Sequence, residues 1–108
     1  MRKIIVAGHE YTMPKMPAET YMEFLDVQDT LEEHMDAKGR YVRSDITAMT
    51  DFICKAYGNH FAPAQLLESA DITSIIMEFN TIDLALGDEI QKRTEKLTAN
   101  FTKTASKG

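Results

Sequence analysis

A chain of 108 residues has room for about one domain, which excludes a two-domain enzyme. With 44% hydrophobic and 27% charged residues it is not a wholly disordered chain, and 12 Lys+Arg against 17 Asp+Glu, a net −5, exclude a general affinity for nucleic-acid phosphates. No apolar run approaches the ~18–20 residues of a membrane span, and the single Cys54 cannot form an internal disulfide, so a small, acidic, intracellular protein is expected.

The first residues lack the long apolar stretch of a signal peptide. The β-branched run Lys3-Ile-Ile-Val-Ala7 and the alternating Glu10-Tyr-Thr-Met13 predict a β-hairpin over Lys3–Met13. Its turn falls in Ala7-Gly8-His9-Glu10, where Gly8 is free to take positive φ, and Pro14 and Pro17 close it. A lone two-stranded hairpin is marginal in water, so it should lie on helices or pair with another chain.

After Pro17 apolar residues return at helical spacing, with Ala18, Tyr21, Phe24, Leu25, Leu31 and Met35 on one face. This helix should end near Asp36, before the loop Lys38-Gly-Arg40. Ser44 is the expected N-cap of a second helix, with Asp45 in its first turn and a stripe of Ile46, Met49, Phe52, Ile53, Ala56 and Tyr57. Gly58-Asn59 is its expected stop.

Pro63 opens a short third helix ending about Ser69, and Asp71 caps a long fourth one. In that helix Ile72, Ile75, Ile76, Phe79, Ile82, Leu86, Ile90 and Leu97 fall within about 60° of one line. From Asp71 to about Ala99 it would span roughly 43 Å, against a radius of gyration of only ~13 Å for a compact domain. It should therefore kink, with Gly87 the candidate point, or extend its last turns beyond the body. The expected fold is mostly α with a small N-terminal β-hairpin and about four helices. Residues 1–101 form one domain, and 102–108, poor in apolar side chains, form a flexible tail.

Chemistry is sparse. His9, His34 and His60 are expected in a turn, near a helix end and in a loop, and none belongs to a metal-binding motif. Cys54 reads as a small buried hydrophobe. The carboxylates Glu32-Glu33, Asp26/Asp29 and Asp88-Glu89 sit on helix faces suited to solvent. Asp83 falls within about 40° of the fourth helix's apolar line and needs a partner, with Lys55 or a tyrosine hydroxyl as candidates. No glycine-rich phosphate loop is present. No catalytic residue, metal or cofactor is expected.

Two features point to binding instead. Seven methionines supply adaptable thioethers, for surfaces or for core filling. Met77 and Leu84, seven residues apart, lie about 150° from the main stripe of the fourth helix, so that helix is apolar on two sides. A second segment of the same chain or another molecule would cover that side. Residues 92–108 carry Lys92, Arg93, Lys96, Lys103 and Lys107 against Glu95, a net of +4, and leave −9 on the rest. The polarity fits head-to-tail association of copies, and equally the answer of cations to a helix dipole.

The order of motifs carries more than any one of them. Ile4-Ile-Val-Ala-Gly-His-Glu-Tyr-Thr-Met-Pro14 leads to Thr20-Tyr-Met-Glu-Phe24. Then come Met49-Thr-Asp-Phe-Ile-Cys-Lys-Ala-Tyr-Gly-Asn-His-Phe61, Pro63-Ala-Gln-Leu-Leu67 and a long helix. Over about residues 3–90 this resembles the tail assembly chaperones of long-tailed phages and prophages of Gram-positive bacteria. The resemblance implies a non-enzymatic protein that binds the tape measure protein, keeps it soluble and promotes assembly of tail tube protein around it. It also implies a role in the host cytoplasm, absence from the mature virion, and a short form beside a frameshifted longer form that reaches the tube protein. A homo-oligomer is expected, with Met77, Leu84, Tyr57, Asn59 and Phe61 as candidate self-association or partner surface, and without nucleic-acid or membrane partners. The alternatives are a small DNA-binding regulator or adaptor, which the acidic body disfavours, and a minor head–tail joining protein.

Overall fold

The hairpin is built on a turn that asks for positive φ at two successive residues. In the computed structural model β1 (Lys3–Val6) and β2 (His9–Thr12) pair antiparallel, with Lys3 opposite Thr12 and Val6 opposite His9. The two-residue loop between them places Ala7 at φ 51° and Gly8 at φ 83°, the signature of a type I′ turn. Gly8 takes that conformation without cost, whereas Ala7 is strained there by about 1–2 kcal/mol. The turn is shorter than the sequence implied, because His9 and Glu10 already belong to β2. The structure describes residues 2–107, with side chains described for all of these except 93 and 96–107.

Four helices follow. The first, α1 (Ala18–Lys38), runs two residues past the expected end and stops at Gly39, whose left-handed backbone returns its N–H to the Met35 carbonyl at 2.8 Å. Its buried stripe is narrower than the periodicity implied. Phe24 and Leu31 are buried, whereas Leu25 and Met35 remain exposed.

The second, α2 (Arg43–Ala56), corrects the expected cap. Val42, and not Ser44, is the N-cap, and Ser44 lies inside the first turn. The Asp45 carboxylate reaches back to accept the Val42 N–H at 2.8 Å, satisfying a terminal donor from within the helix. Its other oxygen meets His34 Nδ1 of α1 at 2.6 Å. Asp45 is thereby buried yet fully partnered, and the pair holds α1 against α2. Asn59 (φ 59°) and Gly58 (φ 83°) turn the chain out of the helix as expected.

Pro63 stands at the first position of α3 (Pro63–Ser69). The last helix, α4 (Ile72–Lys107), is capped by Asp71, whose Oδ1 accepts the Ser74 N–H at 2.7 Å. It continues past the expected end near Ala99 and runs unbroken through Gly87, a length of ~54 Å.

Two compact units divide the chain, Met1–Glu78 and Phe79–Gly108. In the first, α1 packs on α2, α2 on α3, and α3 on β1 around Val6, Phe24, Met49, Phe52, Ile53, Tyr57, Phe61, Leu66 and Ile75. Rings supply much of this core. Phe24 lies 5.1 Å from Phe52, Tyr11 lies 4.9 Å from Phe61, and Tyr57 lies 6.0 Å from Phe61. In the second unit Phe79 and Ile82 are buried. Ile72 and Ile90, expected on the apolar line, are exposed, and Leu97 lies outside the described side chains.

Asp45 gives a test with a defined pH dependence. Burial raises its pKa, but the Val42 N–H, the His34 contact and the charge of Lys38 together hold the carboxyl below its ordinary value. A depressed folded pKa contributes stability in full above the unfolded value, and that stability is lost as pH falls through the folded value. Asp45→Ala should therefore lower stability at pH 7 by about 1–2 kcal/mol. Urea unfolding should show the deficit shrinking below pH ~4.

Candidate functional site

Three elements of the first unit converge on Glu78. It lies on α4, where its carboxylate receives two parallel bonds from Arg2, just ahead of β1: Nε to Oε1 at 3.1 Å and Nη2 to Oε2 at 2.6 Å. The Tyr57 hydroxyl, just past α2, donates to Oε1 at 2.7 Å. A forked guanidinium on a carboxylate is a directional pairing, and here it is largely shielded from water. Burial, and then the Glu78 carboxylate, push the Tyr57 phenol up, against an opposing effect of Arg2. Glu78 in turn holds the Arg2 guanidinium above its usual value.

Beside this junction lies a cleft of about 270 Å³, lined by Ile4 and Ile5 of β1, Ile53, Leu66, and the Ser69–Ser74 corner between α3 and α4. Ile75 and Glu78 complete its walls. It falls below the roughly 300–1,000 Å³ of ordinary small-molecule sites. Apolar and polar groups share it, the polar ones being Ser69, Asp71, Ser74 and Glu78.

The expected surface residues divide. Met77, in the first unit, and Leu84, in the second, are 62% and 72% exposed. Asn59 is exposed at the left-handed turn. Tyr57 and Phe61 differ from the exposed surface expected of them: both are buried and build the core. Their place in the sequence motif reflects packing against Tyr11 and bonding to Glu78.

The titratable groups settle into structural roles. His34 pairs with Asp45, and His60 stacks near Tyr11. Cys54 is buried, and burial, with Asp51 nearby, pushes its thiol up to about 11, far from a nucleophile's range. Asp83 is half-buried; of the partners considered for it, Lys55 instead bonds Glu23 at 2.8 Å and Tyr57 bonds Glu78. Among the described residues no cluster of three His, Cys, Asp or Glu could hold a metal ion, and no helix is long and apolar enough to cross a membrane. Sequence reasoning missed Arg2–Glu78 because the two are 76 residues apart and no local pattern marks them.

Residues 6–103 match the sequence profile of a family described as phage tail chaperone protein. The chain belongs to this family. Neither curated proteins nor solved structures provide a match. The match covers the hairpin turn, all of the first three helices and most of α4. As a tail chaperone, the protein has a general role in tail assembly, and the family is not one of enzymes.

The junction is open to a direct titration. Tyr57 should remain protonated where an ordinary tyrosine ionises, near pH ~10. Tyr57→Phe should then leave the tyrosinate absorbance of the folded chain at about pH 11 unchanged. Glu78→Gln, which removes the negative charge, should bring the Tyr57 titration down. A loss of absorbance in Tyr57→Phe would show that the phenol ionises normally.

Proposed function

We propose that this chaperone binds the tape measure protein of its phage or prophage, keeps it soluble and promotes assembly of the tail tube around it. The family assignment supplies the assembly role. The observation that carries the finer reading is the apolar surface on an acidic chain. Ile5, Met22, Met77 and Leu84 are all more than half exposed, on a protein of net charge −5. Isolated exposed apolar residues are ordinary, but large ones on the hairpin, on α1 and on both units of α4 offer several contact points. A long helical partner with apolar stripes would be covered by many copies, each binding with modest affinity and gaining by avidity. The acidic body keeps such a coated complex soluble.

In this reading the protein acts in the host cytoplasm, self-associates along its partner and is left out of the finished particle. Tail tube subunits are recruited through the same complex, with a longer form of the chaperone as the route to them.

Co-expression with the tape measure protein is the direct test. The soluble fraction of that protein should rise and the two should co-purify; unchanged solubility without co-purification would end the proposal. The contact surface is tested separately by Met77→Glu combined with Leu84→Glu. This variant should retain its helical circular dichroism and lose mass by light scattering. An unchanged mass would remove Met77 and Leu84 from the self-association surface.

A further inference from the structure

Among the described residues the sheet has two strands, so the outer edge of β1 has no neighbouring strand there. Which backbone groups point there follows from the register. Met13 N–H bonds to the Arg2 carbonyl at 2.8 Å, and Ile4 faces Tyr11 and Val6 faces His9 in the same phase of the ladder. Lys3 and Ile5 are in the opposite phase. Their N–H and C=O groups point away from β2, and among the described residues no hydrogen bond outside the hairpin reaches them. Two donors and two acceptors thus stand about 7 Å apart along an open edge.

Such edges are commonly blunted by lysine, proline or a bulge. Here β1 has neither proline nor bulge, and Lys3 is held by Glu10 at 3.1 Å on the hairpin's own face. Ile5 stands 70% exposed beside it. The edge also opens onto the cleft: Ile4 and Ile5, which belong to opposite faces of the strand, both line it. Cavities of roughly 150 Å³ take a benzene-sized group, so about 270 Å³ has room for a large side chain of an added strand.

Charge narrows the occupant. The lining includes Asp71, whose exposed carboxyl accepts the Ser74 N–H at 2.7 Å and is held below its usual pKa by it, and Glu68 precedes it on α3. From Ala56 to Gln91 the chain has no Lys or Arg, and the nearby cations Arg2 and Lys3 are engaged with Glu78 and Glu10. A helix satisfies its own backbone and cannot use the edge; an extended chain can.

We propose that the outer edge of β1 takes an extended segment of a partner polypeptide as a third strand, with an apolar side chain in the cleft beside Ile4 and Ile5 and a Lys or Arg facing Asp71. The inference rests on the reading that this chaperone works by holding another polypeptide. It adds where that polypeptide is gripped and in what conformation.

The test uses the full chain and an acetylated, amidated hexapeptide of alternating Lys and Val, with an alternating Glu and Val peptide as control. The Lys peptide should slow hydrogen exchange at the Lys3 and Ile5 amides, and the Glu peptide should not. Ile5→Pro removes an N–H that the hairpin itself does not use, and should weaken binding about tenfold. Ile5→Thr keeps the N–H but loses apolar contact in the cleft, and should weaken binding less than Ile5→Pro does. Exchange on the wild-type chain keeps the test independent of whether the proline variant folds. Unprotected edge amides in the peptide complex, or equal binding by Ile5→Pro, would overturn the proposal. So would protection that appears without peptide and grows with protein concentration, which would assign the edge to a second copy. The peptide experiment does not involve the tape measure protein, so failure of co-expression would count against the chaperone's proposed partner alone.

Discussion

The first unit of this protein depends on one shared carboxylate. Glu78 binds Arg2 from the chain's beginning and Tyr57 from the end of α2, and so ties the hairpin, α2 and α4 at one point. A two-stranded hairpin has too little surface to stand alone. Its inner face, buried Val6 and half-buried Ile4, supplies apolar contact, while the Arg2 fork ties the strand to α4. The second polar tie, His34 with Asp45, does the same for α1 and α2. Apolar packing drives the assembly, and these two partnered carboxylates add directional contacts between its elements.

The elements were legible in the sequence wherever the signal was local. The hairpin, the Gly58-Asn59 stop, the Pro63 start and the Asp71 cap each depend on residues a few positions apart. Ser44 was the natural choice of cap by residue type, yet Asp45 supplies the function from three residues inside because His34, 11 residues away, fixes its side chain. Periodicity marked the apolar faces of α1 and α4 but not their width. Leu25, Met35, Ile72 and Ile90 fit the pattern and remain exposed, because a stripe says nothing of how far its neighbour extends. Tyr57 and Phe61 stood out as motif residues and belong to the core. The open edge of β1 needed the register, since a shift of one residue would have turned Lys3 and Ile5 inward.

The family assignment gives a tail chaperone, and the described residues of this acidic chain include exposed apolar side chains and an open strand edge. The one thiol is buried and protonated.

The methionines draw a line between framework and surface. Met49 is sealed in the core, whereas Met22 and Met77 are mostly open to solvent. Conversion of a thioether to its sulfoxide makes an apolar, pliable side chain polar. Peroxide would therefore reach the outer pair first, roughening the exposed apolar surface while the interior stayed intact.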